Sequence, residues 1–363
     1  MRRLLGTVSA LALTAGLLVI GATPASASPS FRIVGPQQSI QTAIDAVSPS
    51  GTVLVLPGTY HEHLVITQRV NLVSLGATLA PPAGDAPPSP CSNAVGDPSN
   101  MDGVCIAGDL TVDQNTGSIT VNHYVNDVHI LGLTVVGFPG SGIAQIGGDG
   151  STFVANTASG NGAYGIVAFN STGTTELFNT ARGSAEAGFY IGDSPDANAT
   201  LVANTSVDNQ FGFFVRDAEH GQLVANNAHD NCVGILFLAD APGPAGAFNV
   251  TGNLIRHNDK ACVGNPDTGS ASLSGLGVVI NGAHDVNIHA NAILDNNPSG
   301  RTIASAGVGV LTGHNGTGTP PMNNRVQGNV ILHNSTDIIW DGNGTGNVLK
   351  PNLCQTSNPT GLC

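Results

Sequence analysis

Charge is what this 363-residue sequence has least of. Asp, Glu, Lys and Arg together make up 10% of it, and Lys260 and Lys350 are its only lysines. Charge repulsion therefore does not hold the chain unfolded. A formal net charge of −13 leaves no basic surface for nucleic acid, which excludes that class of partner. Aromatic residues are 4%, with a single Trp. None of the Gly-rich stretches ends in the Lys-Ser/Thr of a phosphate-binding loop, so nucleotide binding has no support. Only one apolar stretch, Leu4–Ala22, is long enough to span a bilayer, and Gly6, Gly16 and Gly21 dilute it.

That stretch follows Arg2 and Arg3 and precedes Ala25-Ser26-Ala27, the order of a secretory leader. The expectation is a leader over 1–27, with the twin-arginine and general export routes both open, and a secreted, extracellular mature chain with no membrane span. Removing Arg2 and Arg3, in a segment without acidic residues, takes the formal charge from −13 to −15. The six cysteines suit an oxidising compartment. They fall into near pairs, Cys91 with Cys105, Cys232 with Cys262 and Cys354 with Cys363, at spacings that match neither a zinc ribbon nor a redox Cys-x-x-Cys. Disulfide staples are expected.

What is plentiful is Gly, at 48 residues, and Asn, and both recur. Gly followed by alternating large apolar residues appears at Gly142, Gly165, Gly188, Gly212 and Gly234, at intervals of 23, 23, 24 and 22 residues. Gly277 and Gly307 continue the series beyond loops inserted around 259–275 and 297–306. Out of phase runs a second marker, pairs of Asn five apart: Asn156/Asn161, Asn204/Asn209, Asn226/Asn231, Asn253/Asn258, Asn291/Asn296 and Asn329/Asn334, with Asn179 followed by Ser184. Like residues stacked at a strand spacing of about 4.8 Å can bond as Asn ladders. Period-two alternation after each Gly turns Ile166 and Ala168, Phe189 and Ile191, Phe213 and Val215, Ile235 and Phe237, and Val278 and Ile280 inward. A second strand after each first Asn turns in Ala158, Ala181, Ser206, Ala228, Ile255, Ile293 and Ile331. The reading is all-β: a right-handed parallel β-helix of about eight to ten coils, none of which can bury its inner face alone.

An open solenoid end needs a cover. Ile40, Ala43, Ile44 and Val47 lie at helical spacing behind Ser39 as N-cap, just before a strand at 52–56. One solenoid over 28–363 follows, with entry cap and first coil at 31–80, a disulfide loop at 81–105, coils at 106–342 and a tail at 343–363. The segment from Ser39 to Val47, then Gly51-Thr-Val-Leu-Val-Leu-Pro-Gly-Thr-Tyr-His-Glu, resembles the entry cap of pectate-lyase-like β-helix proteins, and the coils resemble the short repeats of that superfamily. The resemblance covers most of 36–350. It implies work on carbohydrate, as in many relatives, or a noncatalytic role, as in others.

In that superfamily, glycan enzymes use the outer face of one sheet near mid-solenoid. Here the outward columns after each Gly read Val167, Tyr190, Phe214, Leu236 and Phe169, Gly192, Arg216, Leu238, followed by Asn170, Asp193, Asp217 and, one step later, Asp240. Eight of the 16 aromatic residues lie between Tyr164 and Phe214. Outward Phe169, Tyr190 and Phe214 suit sugar rings as a substrate-binding wall. Arg216, Asp217 and Asp193 are the candidate catalytic groups. Asp193, Asp217 and Asp240 offer an oxygen cage for Ca2+, the one cofactor for which a donor set presents itself. The bland alternative is that a loop, 239–248 or 259–275, covers this wall and that turn Asp residues cap backbone amides.

A second outward patch holds Arg182, Val207, His229 and Arg256 beside Asp208, Asp230, His257, Asp295 and His333, but Asp or His before the second Asn looks like a recurring turn preference. His61-Glu62-His63 lacks a partner cluster for a metal. Sequons at Asn170, Asn198, Asn204, Asn249, Asn315, Asn334 and Asn343 follow from Asn-rich turns. The paired-Asp and Gly-His-Gly motifs of β-helix polygalacturonases are missing. Tyr164-Gly165-Ile166 begins like the Tyr-Gly-x-Asp-Pro-His motif of alginate epimerases, with Val167 in place of the acid. Two readings stand: a lyase or hydrolase of an extracellular polysaccharide, the lyase with Arg216 as base, and a noncatalytic glycan- or envelope-binding scaffold.

Overall fold

In the computed structural model, residues 28–84, 87–97, 99–113, 115–240, 243–264, 271–313 and 318–363 are described, so the expected leader and the Asn315 sequon lie outside the described residues. From Phe31 onward the chain winds as a parallel β-helix with three sheets. The second sheet has ten strands, at the upper end of the expected coil number. Registers run straight up the third sheet: Ile143 pairs with Ile166, then Phe189, Phe213, Ile235, Val278, Val308 and Ile338. All the inward residues expected from the alternation are buried. Phe189 and Phe213 stack in the bore with ring centroids 4.9 Å apart.

The two sequence markers have separate causes. At Gly165 an added Cβ would overlap the Gly188 carbonyl oxygen of the next coil, so this corner admits no side chain. The asparagines form the ladders that the stacking predicts. Asn204 Oδ1 accepts the backbone N–H of Asn179 at 2.9 Å and its side-chain amide at 3.0 Å, and Asn226 and Asn253 repeat the pattern above it. The residue before each second Asn has a left-handed backbone: Asp208, Asp230, His257, Asp295 and His333 all have positive φ, as does Gly160. Short polar residues and Gly tolerate that conformation best. The second patch is thus a turn column that obeys the repeat.

A seven-residue helix, Ile40–Ala46, closes the entry, capped by the Ser39 hydroxyl. The Glu62 carboxylate adds to that cap, accepting from Ser39 Oγ and the Ile40 and Gln41 amides, which explains the charge of His61-Glu62-His63 without a metal. The disulfides are Cys91–Cys105, Cys232–Cys262 and Cys354–Cys363.

Two segments differ from expectation. The span 343–363, read as a tail, carries the winding further: Asn347 and Asn352 accept from Asn324 and Asn329, and Ser357–Asn358 pairs with the third sheet. Residues 109–123, read as part of a coil, leave the stack as an antiparallel hairpin, Asp109–Val112 with Ile119–His123. Together with a short helix, Pro90–Ala94, whose Cys91 is bonded to Cys105 on the third sheet, the hairpin lies over the outer face of that sheet.

Candidate functional site

Beneath that roof, the outward columns of the third sheet form a second apolar cluster, separate from the bore. The rings point out of the bore as the alternation requires, yet Tyr190 is only 1% exposed and Phe214 8%. Tyr190 is the hub, stacked on Tyr164 at 4.8 Å, tilted against Phe169 at 4.8 Å and edge-on to Phe214 at 4.9 Å. The expectation of an open aromatic wall is therefore corrected. Tyr190 and Phe214 are covered packing, and half-buried Phe169 is left at the margin. The cover is not 239–248 or 259–275 alone: Ala94, Leu110, Val112 and Ile119 come from the roof, with Leu273 and Ala304 beyond.

Where roof and sheet part, a cleft of about 490 Å³ opens. Its floor is Phe169, Asp193 and Arg216, and its roof includes Asn93, Val95, Val112, Asp113 and Ile119. Arg216 Nη2 donates to Asp240 Oδ2 at 3.1 Å, and Nε lies 3.7 Å from Asp217 Oδ2, too far for a hydrogen bond. The guanidinium charge also acts on the Tyr190 hydroxyl, whose pKa burial raises and Arg216 pulls back down. Asp217 is 2% exposed, and its Oδ1 accepts the Asp240 amide at 2.7 Å. Burial pushes its carboxyl up to about 6 against the opposing pull of that amide and of Arg216. Burial likewise raises the Asp193 carboxyl, and Arg216 opposes the rise.

These positions sort the candidate residues. Asp193 and Arg216 reach the cleft. Asp217 is too buried to touch a ligand in the cleft. The three-Asp cage for Ca2+ is also corrected. Among the described residues no group of three His, Cys, Asp or Glu side chains is placed to hold a metal, and the cation that Asp217 and Asp240 contact is the Arg216 guanidinium. Backbone geometry accounts for part of this column: Gly147, Asn170, Asp193, Asp217 and Gly282 all take a left-handed corner. That corner does not demand Arg216.

The roof residues Val95, Val112, Asp113 and Ile119 carry no periodic signal, and sequence reasoning missed them. Gly192 could have been found, as the one residue without a side chain in a column of Phe169, Arg216 and Leu238. A Cβ at Gly192 would overlap the Tyr190 ring and hydroxyl. Gly192→Ala is expected to cost about 1–3 kcal/mol and to displace Tyr190 from Arg216. A lower melting midpoint and a changed near-ultraviolet dichroism check this, and an unchanged aromatic signal would refute it.

Elsewhere, His229 pairs with Asp230 at 2.7 Å and Lys260 with Asp208 at 2.8 Å, surface pairs at the turn column. The sequon residues Asn204 and Asn334 are buried in the ladders. Among the described residues no helix is long and apolar enough to cross a membrane.

Residues 99–255 match the family model described as right handed beta helix region. No curated protein sequence matches the chain. Among solved structures, the chain is similar to the A-module of the Azotobacter vinelandii mannuronan C-5 epimerase AlgE4, with 19% identity and TM-score 0.57 over 88% of this chain and 94% of that one. It is also similar to pectate lyase Pel9A, with 14% identity and TM-score 0.54 over 89% and 79%. A third is the DFA-IIIase of Arthrobacter chlorophenolicus A6 in complex with GF2, with 12% identity and TM-score 0.50 over 85% and 86%. At such identities the likeness is one of fold, and the chain is a right-handed parallel β-helix, as its repeats and entry cap imply.

Proposed function

We propose that this is an exported protein that binds an extracellular polysaccharide in the cleft between the roof and the third sheet. One observation carries the reading: Phe169, Asp193 and Arg216, an apolar face, a carboxylate and a guanidinium, converge in the described cleft on the outer face. That set suits sugar, with the ring against Phe169 and hydroxyls bridging Asp193 and Arg216. The similar folds named for acting on mannuronan and pectate support a polysaccharide ligand, and the leader-like segment and three disulfides support export.

Binding without turnover needs the fewest groups. Arg216 is a poor base, because Asp240 and Asp217 stabilise its protonated form. Hydrolysis by adjacent-coil Asp193 and Asp217 fails on the burial of Asp217. Arg216→Ala is expected to weaken glycan binding about tenfold or more, as lost charge-assisted hydrogen bonds do. Affinity electrophoresis across a glycan panel measures this, alongside assays for reducing ends and for the ultraviolet absorbance of unsaturated products. Undiminished binding by the variant would move the site, and a steady yield of cleaved product would replace binding by catalysis.

A further inference from the structure

Resting on the polysaccharide reading, we infer that the cleft selects an uncharged, hydroxyl-rich glycan and rejects polyuronates. The ground is the charge that faces the cleft. Among the described residues, Arg216 is the one cation lining it. Its Nη2 is bonded to Asp240 and its Nε faces Asp217. Asp193 on the floor and Asp113 on the roof add two more carboxylates, so among the described residues four acids line the cleft or contact its guanidinium against that one base. Burial pushes the Asp217 carboxyl only to about 6, below neutral pH. The remaining roof residues, Asn93, Ala94, Val95, Gly96, Val112, Gly117 and Ile119, supply no positive charge.

A uronate entering this space meets a net negative field in a partly desolvated site, where charges act strongly. The whole chain, at −13, repels it at longer range as well. A Ca2+ bridge would reverse the sign; Asp217 Oδ1 is engaged by the Asp240 amide and Asp240 Oδ2 by Arg216, which leaves Asp193 and Asp113 as the cleft-facing donors, so the acidic probes are tested with and without Ca2+. A neutral sugar has no such cost. Its hydroxyls can donate to Asp193 and Asp113 and accept from Arg216, and its less polar ring faces can lie between Phe169 below and Val95, Val112 and Ile119 above. Selection thus comes from repulsion built into the walls as much as from attraction.

The test uses the full-length mature protein in affinity electrophoresis and titration calorimetry, with laminarin, galactomannan and inulin as neutral probes. Polygalacturonate and alginate are the acidic probes, each with EDTA and with Ca2+. Binding of a neutral probe is expected, with little dependence on salt and about a tenfold loss on Arg216→Ala or Asp193→Asn. In Asp113→Asn/Asp193→Asn, polyuronate binding should rise at least severalfold; Asn suits the Asp193 corner, as Asn170 one coil earlier shows. Far-ultraviolet dichroism verifies folding of each variant. Binding of polyuronates in preference to neutral probes, with or without Ca2+, would overturn the neutral-glycan inference while leaving the polysaccharide reading intact. Neutral binding that survives both Arg216→Ala and Asp193→Asn would overturn the site. If no glycan binds, the polysaccharide reading falls and this inference with it.

Discussion

Near pH 9 the protein is expected to melt roughly 10 °C below its midpoint near pH 5, and Glu176→Gln is expected to remove most of that difference. Glu176 sits on the strand Thr175–Leu177 with its side chain in the bore, in register between Phe153 and Leu201. It is 0% exposed, and neither carboxyl oxygen has a hydrogen-bond partner. Burial pushes its pKa from the ordinary 4.5 up to about 8. The folded state therefore holds a proton that the unfolded chain releases. The resulting stability is fully present below about pH 4.5 and is lost as pH rises to about 8, a change on the order of 4–5 kcal/mol.

Glu176→Leu goes further, because it also removes the cost of burying an unpaired polar group, about 1–3 kcal/mol even when neutral. It should stabilise the fold at every pH, and most above pH 8, with the hydrophobic column from Phe153 to Leu201 made continuous. Melting curves of wild type, Glu176→Gln and Glu176→Leu from acid to alkaline pH decide the matter. Parallel curves for all three would mean that Glu176 titrates normally and that the carboxyl is not in the dry bore.

The second large effect is expected at the Asn ladder. Asn204→Ala strips the acceptor from the Asn179 amide and the donor from the Glu176 carbonyl, both in the interior of the stack. Two buried backbone groups left unpaired cost about 2–5 kcal/mol together. Asn249 is exposed on the first sheet, and Asn249→Ala should stay within about 0.5 kcal/mol of wild type. Urea denaturation of the two variants separates the effects. Because each coil touches only its neighbours, Asn204→Ala should also broaden or split the transition as the two halves uncouple. Equal midpoints for the variants would reduce the ladder to decoration.

Both predictions depend on vertical neighbours, and that relation was readable in the linear chain. Gly142 to Gly234 recur because a Cβ would strike the coil above. Asn156 to Asn329 recur because each must satisfy the turn below. A repeated constraint leaves a repeated residue, so coil length, inward faces, the entry helix behind Ser39 and the second-patch turn column were all legible.

Glu176 was not, for it falls at an inward position of a strand without a marker residue, and a single polar residue there reads as an ordinary surface acid. Nor was the roof. The hairpin at 109–123 and the helix at 90–94 occur once, and what places them is an apolar fit to Val167, Tyr190 and Leu236 together with the Cys91–Cys105 bond. Alternation told which side of the strand Tyr190 occupies, but whether that side met water depended on a segment about 70 to 100 residues away. Sequence by itself determined the winding, because stacking imposes the same local demand on every coil. Only the tertiary structure decided which outer face was covered, where the cleft opened and that a guanidinium sat among its carboxylates, because those follow from a unique long-range packing that leaves no period behind.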